Sequence, residues 1–140
     1  MHIHNRATEM VILVKGKSLQ TGFVMEDGDN TPVVNTIGLY QGAIRPQGAI
    51  HYEFNDNCED AIFIAGLSND DPGVSRIAQN FFIEDAKLIY ADLGYPDFIS
   101  PENITKFADS LPLAFALGAQ ACLTRCGITY NATVNGTSSI

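Results

Sequence analysis

Tryptophan is absent from this 140-residue chain, and only 8 lysines and arginines stand against 16 aspartates and glutamates. Histidine and cysteine are scarce as well, at 3 each. Each shortage excludes something. A formal net charge of −8 argues against nucleic acid or an anionic membrane surface as the main partner, because both select clustered cations. No apolar run approaches the roughly 18 residues that a membrane-spanning helix needs. Cysteine is too sparse, and odd in number, to dictate a disulfide framework. Cys58, Cys122 and Cys126 each read as a buried free thiol, the last two sharing one helical face. Global disorder is excluded by 46% hydrophobic against 17% charged residues. What remains is one domain with a real core.

The first two thirds of the chain pattern as strands and the last third as helices. Glu9–Lys15 is a β-branched run ended by Gly16 and Lys17. Leu19–Met25 and Val33–Tyr40 continue as strands around the dense turn signal of residues 26–32. Ile50–Phe54 alternates inward and outward residues, and Asn55-Asp-Asn57 turns the chain. Ala61–Leu67 is continuously apolar, as a strand covered on both faces would be, and Asp70-Asp-Pro-Gly73 closes it. Short strands spaced by turns predict a sandwich or barrel. From Glu84 the period changes: Ala86, Leu88, Ile89 and Leu93 fit a short amphipathic helix that stops at Gly94. Ser100-Pro101-Glu102 is a helix start, an N-cap with proline and an acid in the first turn, and that helix carries Ile104, Phe107, Ala108 and Leu111. Leu113–Leu123 reads as a helix apolar all round, stopped by Gly127 and suited to a subunit interface. Residues 129–140 read as a disordered tail.

The chemistry concentrates in the histidines. On a strand, His2 and His4 leave the same face with the spacing two ligands of one metal need. Glu9 would face the other way on an unbroken strand, so Asn5–Thr8 must bulge or turn if it is to join them. His51 follows Pro46 and Gly48, which force a turn just before the strand that carries it inward. Taken singly, His2 and His4 also read as exposed imidazoles and His51 as a hydrogen-bonded core residue. Three imidazoles and one carboxylate suit Mn, Fe, Co, Ni, Cu or Zn. Other chemistry is unsupported. The glycines of residues 38–48 lack phosphate-cradling spacing, and Ser75 and Ser110 have no spare histidine for a hydrolytic triad. Asp56, Glu59, Asp60, Asp70 and Asp71 read as solvated loop faces, and Arg6 and Arg45, although they flank the ligand motifs, as surface charge.

These spacings carry a resemblance. His2-x-His4, four residues, Glu9, six residues, Gly16 is similar to the first motif of the germin-like branch of the cupin superfamily. Pro46-x-Gly48, two residues, His51, three residues, Asn55 is similar to the second, and residues 65–79 resemble germins and spherulins, including fungal forms. The resemblance implies a mainly β fold, the double-stranded β-helix or cupin jelly-roll barrel, over residues 1–83, with a helical extension over 84–128 for oligomerisation. It implies Mn²⁺ held by His2, His4, Glu9 and His51, a trimer or hexamer, and a secreted protein. Sequons at Asn103, Asn131 and Asn135 agree with secretion. Three functions follow as expectations: an extracellular manganese-binding germin/spherulin-like protein; a manganese-dependent oxidase of a small acid such as oxalate, or a superoxide-dismuting activity, the acid binding on the metal; and a non-catalytic metal that ties the strands. Two departures stand out. Tyr40 replaces the glycine six residues before the motif's proline, and nothing but Met1 precedes the first histidine. The barrel's N-terminal strands, the asparagines that hold small acids in oxalate-oxidising germins, and a signal peptide are therefore expected upstream of this sequence.

Overall fold

The computed structural model describes residues 1–28, 31–111 and 119–128. The strands are β1 (His2–Ile3), β2 (Glu9–Lys15), β3 (Ser18–Val24), β4 (Val33–Gly38), β5 (Gly42–Arg45), β6 (Ile50–Phe54), β7 (Ile62–Leu67) and β8 (Ser75–Arg76). The helices are α1 (Ile77–Phe82), α2 (Ala86–Asp92), α3 (Pro101–Ser110) and α4 (Gln120–Arg125). Among the described residues two antiparallel sheets result, in the orders β4-β3-β6-β1-β8 and β5-β2-β7, as expected of a sandwich or barrel.

Alternation builds the core. On β2, Glu9, Val11 and Leu13 point inward, and on β3 Leu19 and Thr21 do the same. Val11, Leu13, Leu19 and Ile37 form the apolar cluster, with Ala43 and Ala61 packed against it. Gly16, the last residue of the first motif, turns the chain from β2 into β3 at φ +112°, and a Cβ there would lie 3.0 Å from Ala61 Cα. Tyr40 takes the left-handed conformation that its family position normally gives to glycine, at φ 62°. Its amide donates to the Leu13 carbonyl at 2.7 Å, which holds the β4–β5 turn onto β2.

The chain divides into two compact units. One contains residues 1–75 and α4; the other contains α1–α3. In the first, Cys58 and Cys126 form a disulfide, so the free-thiol reading fails for both and holds for the buried Cys122. The sequence separation of 68 explains the failure: only folding brings α4 to the turn after β6. The Cys122 thiol contacts the Asn55 carbonyl at 3.7 Å, and Arg125 Nη2 donates to the Asp56 carbonyl at 2.6 Å. In the second unit, Asp85 caps α2 and Ser100 caps α3, as the Ser-Pro-Glu signature predicts. Ile89 and Ile104 are its buried anchors, and Phe82 and Phe107 meet edge to face.

Three readings are corrected. The run at Ile62–Leu67 is a strand, but all of it is exposed, Ile64 by 62%; it lies at the edge of the three-stranded sheet among the described residues. Apolarity alone does not say what covers a strand. Residues 77–82 are helical although they fall within the stretch read as barrel. The last helix begins at Gln120 among the described residues, and its stop at Gly127, φ 67°, is as expected. Most of the Leu113–Leu123 reading, the tail at 129–140, and the sequons at Asn131 and Asn135 lie outside the described residues.

Candidate metal centre

β1 and β6 pair so that His2 lies opposite His51, and β3 brings Phe23 to the other side of His51. The turn before β6 is built by its motif: the Ala49 amide donates to the Pro46 carbonyl at 3.1 Å, with Gly48 at φ +80° in the third position. That is the type II geometry that demands glycine. The Gly48 amide donates to the His4 carbonyl at 3.0 Å, which fastens the two histidine-bearing segments together. Asn55, the motif's last residue, donates from Nδ2 to the Glu59 carbonyl and accepts the Asn57 amide, closing the turn after β6.

The chain does break between His4 and Glu9, and it breaks fully. β1 belongs to the five-stranded sheet and β2 to the three-stranded one, so residues 5–8 carry the chain from one sheet to the other. Glu9 thereby enters the site from the opposite wall. One ligand atom from each of His2, His4, Glu9 and His51 lies within 4.8 Å of the other three. Ring centroids are 5.0 Å apart for His2–His4, 4.2 Å for His2–His51 and 5.4 Å for His4–His51. His4, Glu9 and His51 are buried and His2 is partly so.

Hydrogen bonds fix which nitrogens face the centre. His4 Nδ1 bonds to the Gly73 carbonyl at 2.7 Å and His51 Nδ1 to the Ala49 carbonyl at 2.9 Å. A carbonyl only accepts, so both Nδ1 atoms carry the proton and both Nε2 atoms keep their lone pairs. Those Nε2 atoms converge on Glu9 Oε2, at 3.8 Å from His4 and 3.1 Å from His51. Glu9 Oε2 and His51 Nε2 are buried, and neither makes an aligned hydrogen bond. Buried polar atoms are rarely left so. A divalent cation between them fits the arrangement: it replaces the missing partners and matches a donor set of imidazoles with one carboxylate.

The electrostatics agree. Burial, reinforced by the His51 and His4 rings, lowers the His2 pKa to about 4, so His2 is a neutral donor near pH 7. Burial also pushes the Glu9 carboxyl up, but His51, Arg45 and His4 outweigh it and leave Glu9 below its ordinary value. Burial lowers His51, yet Glu9, the Ala49 carbonyl and Glu53 leave it above its ordinary value.

Arg45 is a further correction. It is only 1% exposed, so it is not surface charge. Its Nε lies 3.0 Å from Glu53 Oε1, and its Nη1 and Nη2 donate to the Ala43 carbonyl and the Thr21 hydroxyl. Sequence reasoning missed Glu53 and Thr21 as well. The signal for Glu53 was present: it stands two residues after His51 on a strand and so shares its face. Arg6, by contrast, is on the surface, paired with the exposed Asp71 at 2.6 Å.

The cupin family profile matches residues 1–87, and the chain belongs to the cupin family. Within that family it is homologous to the spherulins and germin-like proteins. It is 37% identical over 128 residues to Spherulin-1A of Physarum polycephalum, covering 91% of this chain and 50% of that protein. It is 38% identical over 82 residues to Germin-like protein 8-5 of Oryza sativa subsp. japonica, covering 58% of this chain and 36% of that protein. The chain thus spans about half the length of the spherulin relatives it matches. Among solved structures it is similar to a recombinant oxalate oxidase in complex with glycolate, with TM-score 0.66 and 20% identity over 76% of this chain and 53% of that one. A variant oxalate decarboxylase of Bacillus subtilis matches with TM-score 0.62 and 16% identity over 82% of this chain and 28% of that one. At these identities the structures establish the fold.

Proposed function

We propose that this chain belongs to an extracellular manganese-binding cupin of the spherulin and germin type, with Mn²⁺ held by His2, His4, Glu9 and His51. The observation that carries the reading is the buried, unaligned pair of Glu9 Oε2 and His51 Nε2 within a cluster whose ligand atoms lie inside 4.8 Å. The donor set also suits Fe, Cu or Zn; the choice of manganese rests on the germin likeness. The disulfide supports an oxidising, extracellular setting, and the sequon at Asn103, on α3, agrees with it. Assembly as a trimer or hexamer is part of the proposal.

When bound, Mn²⁺ supplies a redox-active Lewis acid to which a small acid such as oxalate can bind. Glu9 brings the one anionic ligand, the Gly73 and Ala49 carbonyls hold His4 and His51 in the ligating tautomer, and His2 stays neutral beside them. A second reading, a metal that ties strands together, is favoured by the ligands coming from both sheets. Elemental analysis with manganese EPR on the unaltered protein and on His51→Ala tests the site: stoichiometric metal in the first and its loss in the second are expected. Stoichiometric metal retained by His51→Ala would refute the site. Turnover of a panel of small acids and of superoxide separates an oxidase from a binding protein, and full thermal stability without metal would exclude the structural tie.

A further inference from the structure

Among the described residues, four buried side-chain atoms lack an aligned hydrogen bond: Glu9 Oε2, His51 Nε2, Arg45 Nε and Glu53 Oε1. They form two contacts, His51 Nε2 to Glu9 Oε2 at 3.1 Å and Arg45 Nε to Glu53 Oε1 at 3.0 Å. A cation accounts for the first contact but not for the second.

The two contacts belong to one geometric unit. Glu9 and Arg45 are direct partners across the β2–β5 ladder, and both are buried. His51 and Glu53 stand two apart on β6, in the other sheet. A rung of one sheet therefore faces two successive inward residues of the other, and each end of the rung touches one of them. Arg45 also spans the gap. Its guanidinium bonds to the Ala43 carbonyl on its own strand and to the Thr21 hydroxyl on β3 of the opposite sheet. Thr21 is itself fixed, donating from Oγ1 to the Tyr52 carbonyl at 3.1 Å.

We infer that Arg45 and Glu53 are positioning residues for the metal centre: their ion pair sets the separation of the two sheets at the rung carrying Glu9, and so fixes where the Glu9 carboxylate meets the His51 imidazole. Stability alone is a poor account of this pair. Burying a guanidinium and a carboxylate costs desolvation that apolar residues of similar volume avoid, and such replacements are often neutral or stabilising. The pair is neutral as a unit, so it adds no net charge beside a dication and its effect is geometric. Residues that orient ligands typically change metal affinity by about 10–100-fold when lost.

The inference rests on the reading of His2, His4, Glu9 and His51 as ligands, and one experiment separates the two. Free Mn²⁺ is titrated by EPR with the metal-free protein, its double variant Arg45→Met/Glu53→Leu, and Arg45→Lys, and metal-free melting is recorded for each. The expected result is Mn²⁺ affinity about 10–100-fold weaker in the double variant, an altered spectrum of the bound ion, and little change in metal-free melting. Arg45→Lys keeps the charge without the fork and should recover only part of the affinity. Affinity within about twofold of the unaltered protein, far below the change expected of an orienting residue, overturns the inference. Failure of the unaltered protein to take up Mn²⁺ overturns the ligand reading itself. Should the double variant not fold, Thr21→Val removes one anchor of Arg45 without touching a charge. A weakening of about threefold or more is then expected, and unchanged affinity overturns the inference.

Discussion

Replacing Cys58 and Cys126 by serine removes a cross-link between residues separated by 68 positions. Closing a loop of that length in the unfolded chain costs entropy that the disulfide has already spent, and the loop-closure relation gives about 4 kcal/mol at 25 °C. The tie has local company: α4 also reaches the 55–58 turn through the Cys122–Asn55 and Arg125–Asp56 contacts. The exposed Arg125–Asp56 pair is screened by water and holds the helix only weakly once the cross-link is gone. The assay is equilibrium urea denaturation of the unit containing the strands, oxidised protein against the double serine variant. With a slope of about 2 kcal/mol/M, the midpoint should fall by about 2 M. Alkylation of the denatured, unreduced protein should label Cys122 alone. A loss below about 1 kcal/mol would show that the unfolded chain gains little freedom when the bond is removed, and the entropic reasoning would fail. Labelling at Cys58 would refute the bond itself.

Tyr40→Gly should stabilise the protein by about 1 kcal/mol in the same titration, because relief of the Cβ clash in the left-handed conformation exceeds the entropy that glycine adds to the unfolded chain; a loss of stability would reverse that order. His51 is held above its ordinary value and His2 is lowered to about 4, so as pH falls His51 is the first of the two to take up a proton that competes with Mn²⁺. Affinity should therefore weaken first with His51 and again as His2 protonates near 4, and calorimetry in buffers of different ionisation enthalpy reads the proton count. In the metal-free protein the lowered His2 pKa makes stability fall as pH drops from 6.5 towards about 4, where the unfolded state binds the extra proton, and acid titration followed by circular dichroism tests the sign. Ile104→Ala should cost the helical unit about 2–5 kcal/mol, since this side chain is fully buried on α3; a cost below about 1 kcal/mol in thermal unfolding would contradict that burial.

The two histidine motifs were legible because each is local. The Pro46–Gly48 turn needs only its own residues, and the two-residue spacing of His2 and His4 already implies a shared face, whereas the β1–β6 pairing that sets His2 opposite His51 is long-range. The crossing between sheets at residues 5–8 was legible as a requirement, since Glu9 could not join the histidines from an unbroken strand. The start of α3 was legible for the same reason: Ser100 needs only its own next turn to act as a cap. What escaped were facts that depend on distant partners. Cys58 has no spacing to Cys126 that a rule could read. Ile62–Leu67 is apolar whether or not anything covers it. Arg45 looked solvated because an isolated guanidinium resists burial, and its three partners come from three strands.

The misread arginine and the clustered histidines are two sides of one constraint. The cluster proposed to hold a dication here includes a carboxylate, and a carboxylate in that position brings a full charge into the space between two sheets. Glu9 satisfies this by facing three imidazoles. Its partner on the ladder then occupies the adjacent inward site, where an apolar side chain would leave one sheet free to slide against the other. Arg45 instead grips β3 and β6 from β5, and the charge it brings is balanced by Glu53 two residues from His51. The polar residues inside this barrel are therefore ordered as two adjacent cross-sheet contacts, one suited to the proposed cation and the other closed by its own opposite charges. A sequence in which position 45 became apolar while Glu53 stayed would bury an unpaired carboxylate beside the ligands, and substitution at the two positions should be tolerated only together.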